Sequence, residues 1–342
     1  MRLSDLIAPV RRLALVGLAK NTGKTETLAA ILAEHAKAGR LVGVTSIGRD
    51  GEEHDVIDAR IDKPRILLQA GNLVASTDAL LRSSGVPHER LAQTGVRTPL
   101  GEVVIARLSE QGAVEVAGPS AAEDVREVGD AMIGFGAEHV LIDGAIDRRA
   151  ASSPAVADGL VLATGAVLGE DIDGVVEATK DAVDLIRLPV TGDSLADTPT
   201  DRSEEHITLP GRLVLNAEPT EIAMLLRERP SVSTFLIDGA LGERFLEGLL
   251  AARAERAGRE LRIVVGDPTK VFLSRRGLGW YERQGLSIEV LRTIDLRAIT
   301  VNPLAPQSHR FDSLELRRLI EAVVTDVPVL DVLDQSYLAL AK

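Results

Sequence analysis

The sequence predicts an α/β protein with a mostly parallel sheet, followed by a second α/β lobe, and three observations carry that reading. Short β-branched runs alternate with longer Ala/Leu/Glu/Arg stretches, as in parallel strands joined by crossover helices. The rhythm breaks at a polar segment, Thr191 to Gly211, and then resumes. Near the N-terminus an apolar run leads through a polar, glycine-bearing loop into an Ala/Leu-rich helix.

Taken in order, apolar patterning predicts strands at Leu13–Val16 and Leu41–Ser46, with a helix over Lys24–Lys37 between them. Residues Gly51–Pro99 are less regular and read as an inserted β element. Strands at Val103–Arg107 and Ala113–Val116 precede a helix over Ala121–Gly134, entered through Gly118-Pro119-Ser120, where the serine suits an N-cap. Strands at His139–Ile142 and Leu160–Ala163 and a helix over Asp171–Ile186 complete a first domain, residues 1–190. Residues 191–211, rich in acidic, Ser/Thr and Pro residues, read as a linker. The second domain, 212–342, is expected to carry strands at Leu213–Asn216, Thr234–Ile237, Leu261–Val265, Ser287–Val290 and Arg297–Val301. Its helices are expected at Thr220–Arg229, Gly242–Ala257 and Asp312–Val324. Leu141-Ile142-Asp143-Gly144-Ala145 recurs as Leu236-Ile237-Asp238-Gly239-Ala240, each copy at a predicted strand end, as a duplicated unit or as the Asp-Gly common at such ends.

Composition removes several function classes. The 342 residues are 45% hydrophobic and 26% charged, the balance of a globular chain with enough core for two domains. With no cysteine there is no disulfide, thiolate nucleophile or thiolate metal site. The formal charge of −12 repels phosphate backbones, and five Phe, two Tyr and one Trp make a poor stacking platform, so nucleic acid is not the expected partner. No apolar run approaches the ~20 residues of a membrane span, and no secretory signal precedes Lys20, so a cytoplasmic location is expected.

The chemistry concentrates in Gly17-Leu18-Ala19-Lys20-Asn21-Thr22-Gly23-Lys24-Thr25-Glu26. A strand before and a helix after give this loop the context of a P-loop. Backbone N–H groups from Thr22 to Thr25 would converge on a phosphate at the helix N-terminus. Lys24 would reach the terminal phosphates, and Thr25 would offer its hydroxyl to Mg²⁺. The loop is one residue longer than the common G-x-x-x-x-G-K-[ST] spacing, because Leu18 stands where the first glycine would fall. A helix that merely begins with Gly-Lys-Thr is the plainer alternative.

Such a site also needs acids at neighbouring strand ends. Asp143, followed by Gly144, is the first candidate. Asp50, in the acidic loop Gly48-Arg49-Asp50-Gly51-Glu52-Glu53-His54-Asp55, is the second, with Arg49 as a possible phosphate contact; the loop could act as a switch or be a solvated charge run. His54 with Asp55 and Asp58 makes a poor metal site, and no histidine pair has zinc spacing. Asn302-Pro303 and Asn216 each follow a predicted strand and could read a nucleobase or form a plain turn. Lys270, Arg275 and Arg276 beside Trp280 and Tyr281 suit a partner surface or a packed helix end equally.

The loop Gly17–Thr25 together with Asp143-Gly144-Ala145 resembles the signal recognition, MinD and BioD class of P-loop NTPases, particularly dethiobiotin synthetase. The resemblance implies a mostly parallel P-loop NTPase domain with Asp143 contributing to Mg²⁺ and substrate binding. Ile146-Asp147-Arg148-Arg149 replaces the glycine-rich continuation expected there. Gly17–Asn21 with Gly23-Lys24-Thr25, Ser46–Glu52 and Leu141–Asp147 are also similar to the KamB-like subunit of lysine 5,6-aminomutase reactivase. That resemblance implies ATP or GTP as ligand, Mg²⁺, ATPase activity, a partner ATPase subunit and a cobalamin-dependent aminomutase of lysine degradation as client. The chain lacks the Asp-x-His-x-x-Gly cobalamin-ligand motif. The alternative function is an ATP-dependent ligase or kinase acting on a small carboxylate or amino acid near Asp143.

Overall fold

The computed structural model describes residues 2–47, 65–144, 153–192, 205–254, 260–306 and 309–334. The chain forms two compact units, one from Met1–Lys180 with Asp295–Lys342 and the other from Asp181–Ile294. The first runs α1 (Leu3–Ile7), β1 (Arg12–Gly17), α2 (Lys24–Lys37), β2 (Val42–Ser46), β3 (Ile66–Leu68), β4 (Leu73–Thr77) and α3 (Asp78–Ser83). It continues through β5 (His88–Thr98), β6 (Gly101–Leu108), β7 (Gly112–Val114), α4 (Ala122–Gly134), β8 (His139–Gly144), β9 (Gly159–Gly165) and the start of α5 (Ile172–Ile186), within which the division falls. The second unit holds β10 (His206–Pro210), α6 (Gly211–Asn216), α7 (Pro219–Glu228), β11 (Thr234–Asp238), β12 (Leu241–Gly242) and α8 (Glu243–Ala254). It ends with β13 (Leu261–Val265), β14 (Val271–Phe272), α9 (Leu278–Arg283) and β15 (Leu286–Val290). The chain then returns to the first unit with β16 (Leu296–Asn302), α10 (Ser313–Val323) and β17 (Val329–Leu330).

The first unit is built on a nine-stranded sheet in the order β17-β16-β9-β1-β8-β2-β4-β6-β5. Pairing is parallel from β17 to β4 and turns antiparallel only at β4–β6 and β6–β5. β1 lies inside the sheet between β9 and β8 and is buried along its whole length, which is why it reads as an unbroken apolar run instead of an alternating one. Leu13 and Leu15 face a core with Leu28, Ile31 and Leu32 of α2 and with Val42 and Val44. On the opposite face Gly43 leaves room for Met132 of α4, whose Cε would sit 2.7 Å from an added Cβ. Arg12 ties this layer together by ion pairs of 2.6 Å to both Asp130 and Asp158. Burial opposes the Arg12 charge, but the bonds and charges of Asp158 and Asp130 outweigh it and raise the guanidinium pKa.

The second unit has a four-stranded parallel sheet in the order β10-β11-β13-β15. Phe235, Ile237, Ile263, Val265, Ile288 and Val290 form its core with Phe245, Leu246 and Leu249 of α8.

The structure corrects several expectations. The expected second domain, 212–342, is not one body, since β16 and β17 complete the first unit's sheet and only Asp181–Ile294 stand apart. His206–Pro210, read as the end of a linker, is strand β10, and Leu213–Asn216, read as a strand, lies within helix α6. The N-cap of α4 is Ala121, with no side-chain cap, and not Ser120. The irregular stretch after Gly51 does carry β elements, β3, β4 and β5, within its described part.

Candidate functional site

β1 ends at Gly17, and its ladder with β9 extends one step further through Leu18 N–H donating to the Ala163 carbonyl at 2.9 Å. The chain then folds back on itself: Thr22, buried, donates its hydroxyl to the Ala19 carbonyl at 3.0 Å. An added Cβ at Gly17 would stand 2.5 Å from the Thr22 Oγ1, so only glycine allows this approach. Asn21 takes a left-handed backbone (φ 66°) and Gly23 another (φ 91°), the first tolerable for asparagine and the second suited to glycine. These two positions turn the loop into α2, whose N-cap Gly23 supplies no side-chain cap. The first turn therefore presents backbone N–H groups at the positive end of the helix dipole. Thr25 and Glu26 are exposed there, as are Lys20 and Asn21 on the preceding turn.

Lys24 does not point away into solvent. Its Nζ lies 2.6 Å from Asp143 Oδ1, with the two side chains 24% and 31% exposed. Asp143 is placed by register: in β8 it pairs with Leu15 of β1 on one side and Ser46 of β2 on the other. Gly144 follows opposite Val16. Ser46 in turn accepts a hydrogen bond from Gly118 N–H at 2.9 Å.

β16 closes the other side. Asn302 pairs with Gly165 at the end of β9 and donates from Nδ2 to the Asn21 carbonyl at 2.9 Å, while its Oδ1 accepts from Leu304 N–H at 3.1 Å. Two residues earlier Thr300 Oγ1 lies 2.7 Å from Thr27 Oγ1, itself 2.9 Å from the Gly23 carbonyl. A hydroxyl has one proton to give, so with Thr27 donating to Gly23 the Thr300 hydroxyl donates to Thr27. The carboxyl ends of β8, β1, β9 and β16 thus gather Asp143, the loop 17–25, Gly165 and Asn302 at one edge of the sheet, where ligands of open parallel sheets bind.

Of the residues the sequence singles out, Gly17, Lys20, Asn21, Thr22, Gly23, Lys24, Thr25, Glu26, Asp143 and Gly144 are described and cluster here. Asp50 and the whole loop Gly48–Asp55, with His54 and Asp58, lie outside the described residues, as does Asp147. Among the described residues no group of three or more His, Asp or Glu is placed to hold a metal ion. Asn216 donates back to the Arg212 carbonyl within its own helix. In the basic–aromatic cluster Tyr281 is buried while Arg275 and Arg276 are exposed; Arg276 stacks 4.0 Å over the Trp280 ring, and the backbone N–H groups of Arg275 and Arg276 donate to Glu243. Burial and the Glu243 carboxylate push the Tyr281 phenol up to about 12. Thr27 and Thr300 escaped the sequence reading, because a threonine in a helix and one in a strand carry no motif.

The sheet and its strand–loop–helix give this chain a P-loop NTPase-type α/β fold. No protein-family model and no curated protein matches the chain. Among solved structures it is similar to the pNOB8 ParA bound to nonspecific DNA, at 15% identity over 92% of this chain and 96% of that one, with a TM-score of 0.28. No helix among the described residues is long and apolar enough to cross a membrane.

Proposed function

We propose that the chain is an Mg²⁺-dependent nucleotide-binding protein, with ATP favoured over GTP, that hydrolyses its nucleotide as an accessory factor for a client enzyme. The observation that carries this reading is the direct Lys24–Asp143 contact at the foot of an uncapped helix that begins Lys-Thr. The residues present fit such a ligand: N–H groups and Lys24 for phosphates, and the hard oxygens of Thr25 and Asp143 for Mg²⁺. When bound, the metal would neutralise charge between the terminal phosphates. Asp50 remains the proposed second acid from its sequence position alone.

The client side of the reading rests on the resemblance to the reactivase subunit, and a cobalamin-dependent lysine 5,6-aminomutase is the proposed client. The separate unit Asp181–Ile294 supports an accessory role, since it offers a second body beyond the nucleotide site's own sheet. Calorimetric titration with ATP and GTP, with and without Mg²⁺, tests the binding step. Phosphate release measured with and without the aminomutase tests the rest. Turnover stimulated by a small carboxylate or amino acid with no protein present would instead favour the ligase or kinase.

A further inference from the structure

We propose that Asn302 is a positioning residue of the phosphate loop, holding the Asn21 carbonyl so that the loop's next N–H is aimed at phosphate; this rests on the nucleotide reading above. The position alone, at the end of a strand beside the loop, suits a nucleobase reader. The geometry points elsewhere, because each half of the Asn302 amide already holds a protein partner, Nδ2 the Asn21 carbonyl and Oδ1 the Leu304 N–H. With the residue only 8% exposed, these two bonds aim the amide at the loop and its own strand end and leave little of it open to a base.

The bond to Asn21 falls on a critical peptide. Asn21 is the one non-glycine residue with positive φ among the described residues, a left-handed turn that asparagine tolerates and that sets the direction of the following peptide. A trans peptide sets its C=O and the following N–H on opposite sides. Fixing the Asn21 carbonyl toward β16 therefore turns the Thr22 N–H away from β16. The same strand end presses on the loop a second time, since an added Cβ at Gly23 would lie 3.0 Å from the Asn302 Cβ. Thr300 holds it a third time through Thr27 and the Gly23 carbonyl. The partners Asn302 and Asn21 are 281 residues apart, so the loop's shape is set by a strand made after the whole second unit.

The test separates loop positioning from base reading with a ligand that has no base. Affinities of Mg-ATP, Mg-GTP and Mg-tripolyphosphate are measured by calorimetry for wild type, Asn302→Ala and Asn302→Ser. Serine can still accept from the residue-304 N–H, as in a short side-chain turn, but is too short to reach Asn21, so it serves if alanine unsettles the fold. Loss of one neutral hydrogen bond predicts roughly five- to tenfold weaker binding, by the same factor for all three ligands. Unchanged affinity in a variant that melts like wild type overturns the proposal. So does a loss confined to the two nucleotides with tripolyphosphate unaffected, which would make Asn302 a base reader. A wild type that binds none of the three removes the nucleotide reading and this inference with it, a result distinct from failure of the variants alone.

Discussion

Lys24 Nζ and Asp143 Oδ1 are in direct contact at 2.6 Å, one from the first turn of α2 and the other from the end of β8. The cation and the acid that a phosphate loop requires are thus each other's partners. A phosphate at Lys24 would share its three N–H donors with Asp143, and Mg²⁺ beside Asp143 would compete for the carboxylate's charge.

Lys24→Ala is expected to weaken Mg-nucleotide binding by about 10–100-fold, the loss of one or two charge-assisted hydrogen bonds. Calorimetry on the folded variant checks this. Undiminished binding would remove the loop from the site.

Asp143→Asn keeps the shape and loses the charge. Nucleotide affinity should hold within about threefold while the Mg²⁺ concentration needed for hydrolysis rises roughly tenfold or more. A magnesium titration of phosphate release is the measurement, and an unchanged requirement would dismiss Asp143.

Gly17→Ala and Gly134→Ala should act in opposite directions. At Gly17 the new methyl meets Thr22 Oγ1 at 2.5 Å and the Ala19 carbonyl at 3.2 Å, so overpacking of about 1–3 kcal/mol and weaker nucleotide binding are expected. At Gly134, the last residue of α4, the methyl meets nothing within 4 Å and should raise stability by up to ~1 kcal/mol. Urea denaturation of both variants compares them directly.

A pH dependence should come from α2. His35 is 1% exposed, lies edge-on to His139 at 5.0 Å and has Nδ1 2.8 Å from the Ile31 carbonyl, while its Nε2 is buried with no partner among the described residues. Desolvation, aided by His139 and Arg40, holds its pKa below the ordinary 6.5. The folded state then resists a proton that the unfolded chain accepts. Stability should be full above pH 6.5 and fall below it, by up to ~1.4 kcal/mol per pH unit until His35 itself protonates. His35→Gln should remove this slope between pH 6.5 and 5, as read by denaturation at each pH.

The sequence shows some of this architecture and hides the rest for physical reasons. The helix Lys24–Lys37 is legible to the residue, because a buried strand, a turn of glycines and an amphipathic helix each leave a local signature. β10 is not, since its residues are half-buried and sit in a polar stretch at a sheet edge. The apolar run of α6 misleads because Leu213 and Leu215 are 56% and 47% exposed, so their hydrophobicity reports no buried face. Asp143 could be found from its strand-end Asp-Gly; its partner Lys24 could be found from Gly-Lys-Thr. That β16 belongs beside β9 could not, because a parallel strand carries the same apolar pattern whichever sheet it joins. The Asn302–Asn21 bond shares that fate.

The placement of β16 also fixes when the loop 17–25 can take its final shape during synthesis. β9 ends at Gly165, and the neighbour that covers its open edge begins only at Leu296, roughly 130 residues later. At translation rates of about 5–20 residues per second, that edge stands unpaired on the ribosome for on the order of ten seconds. Through that interval β9 offers a bare row of N–H and C=O groups, the template on which nascent chains aggregate. The intervening unit completes its own sheet with β15 at Val290, before Leu296 is made. The growing chain should therefore pass through a state in which the later-made body is folded and the earlier one is still waiting for its last strands.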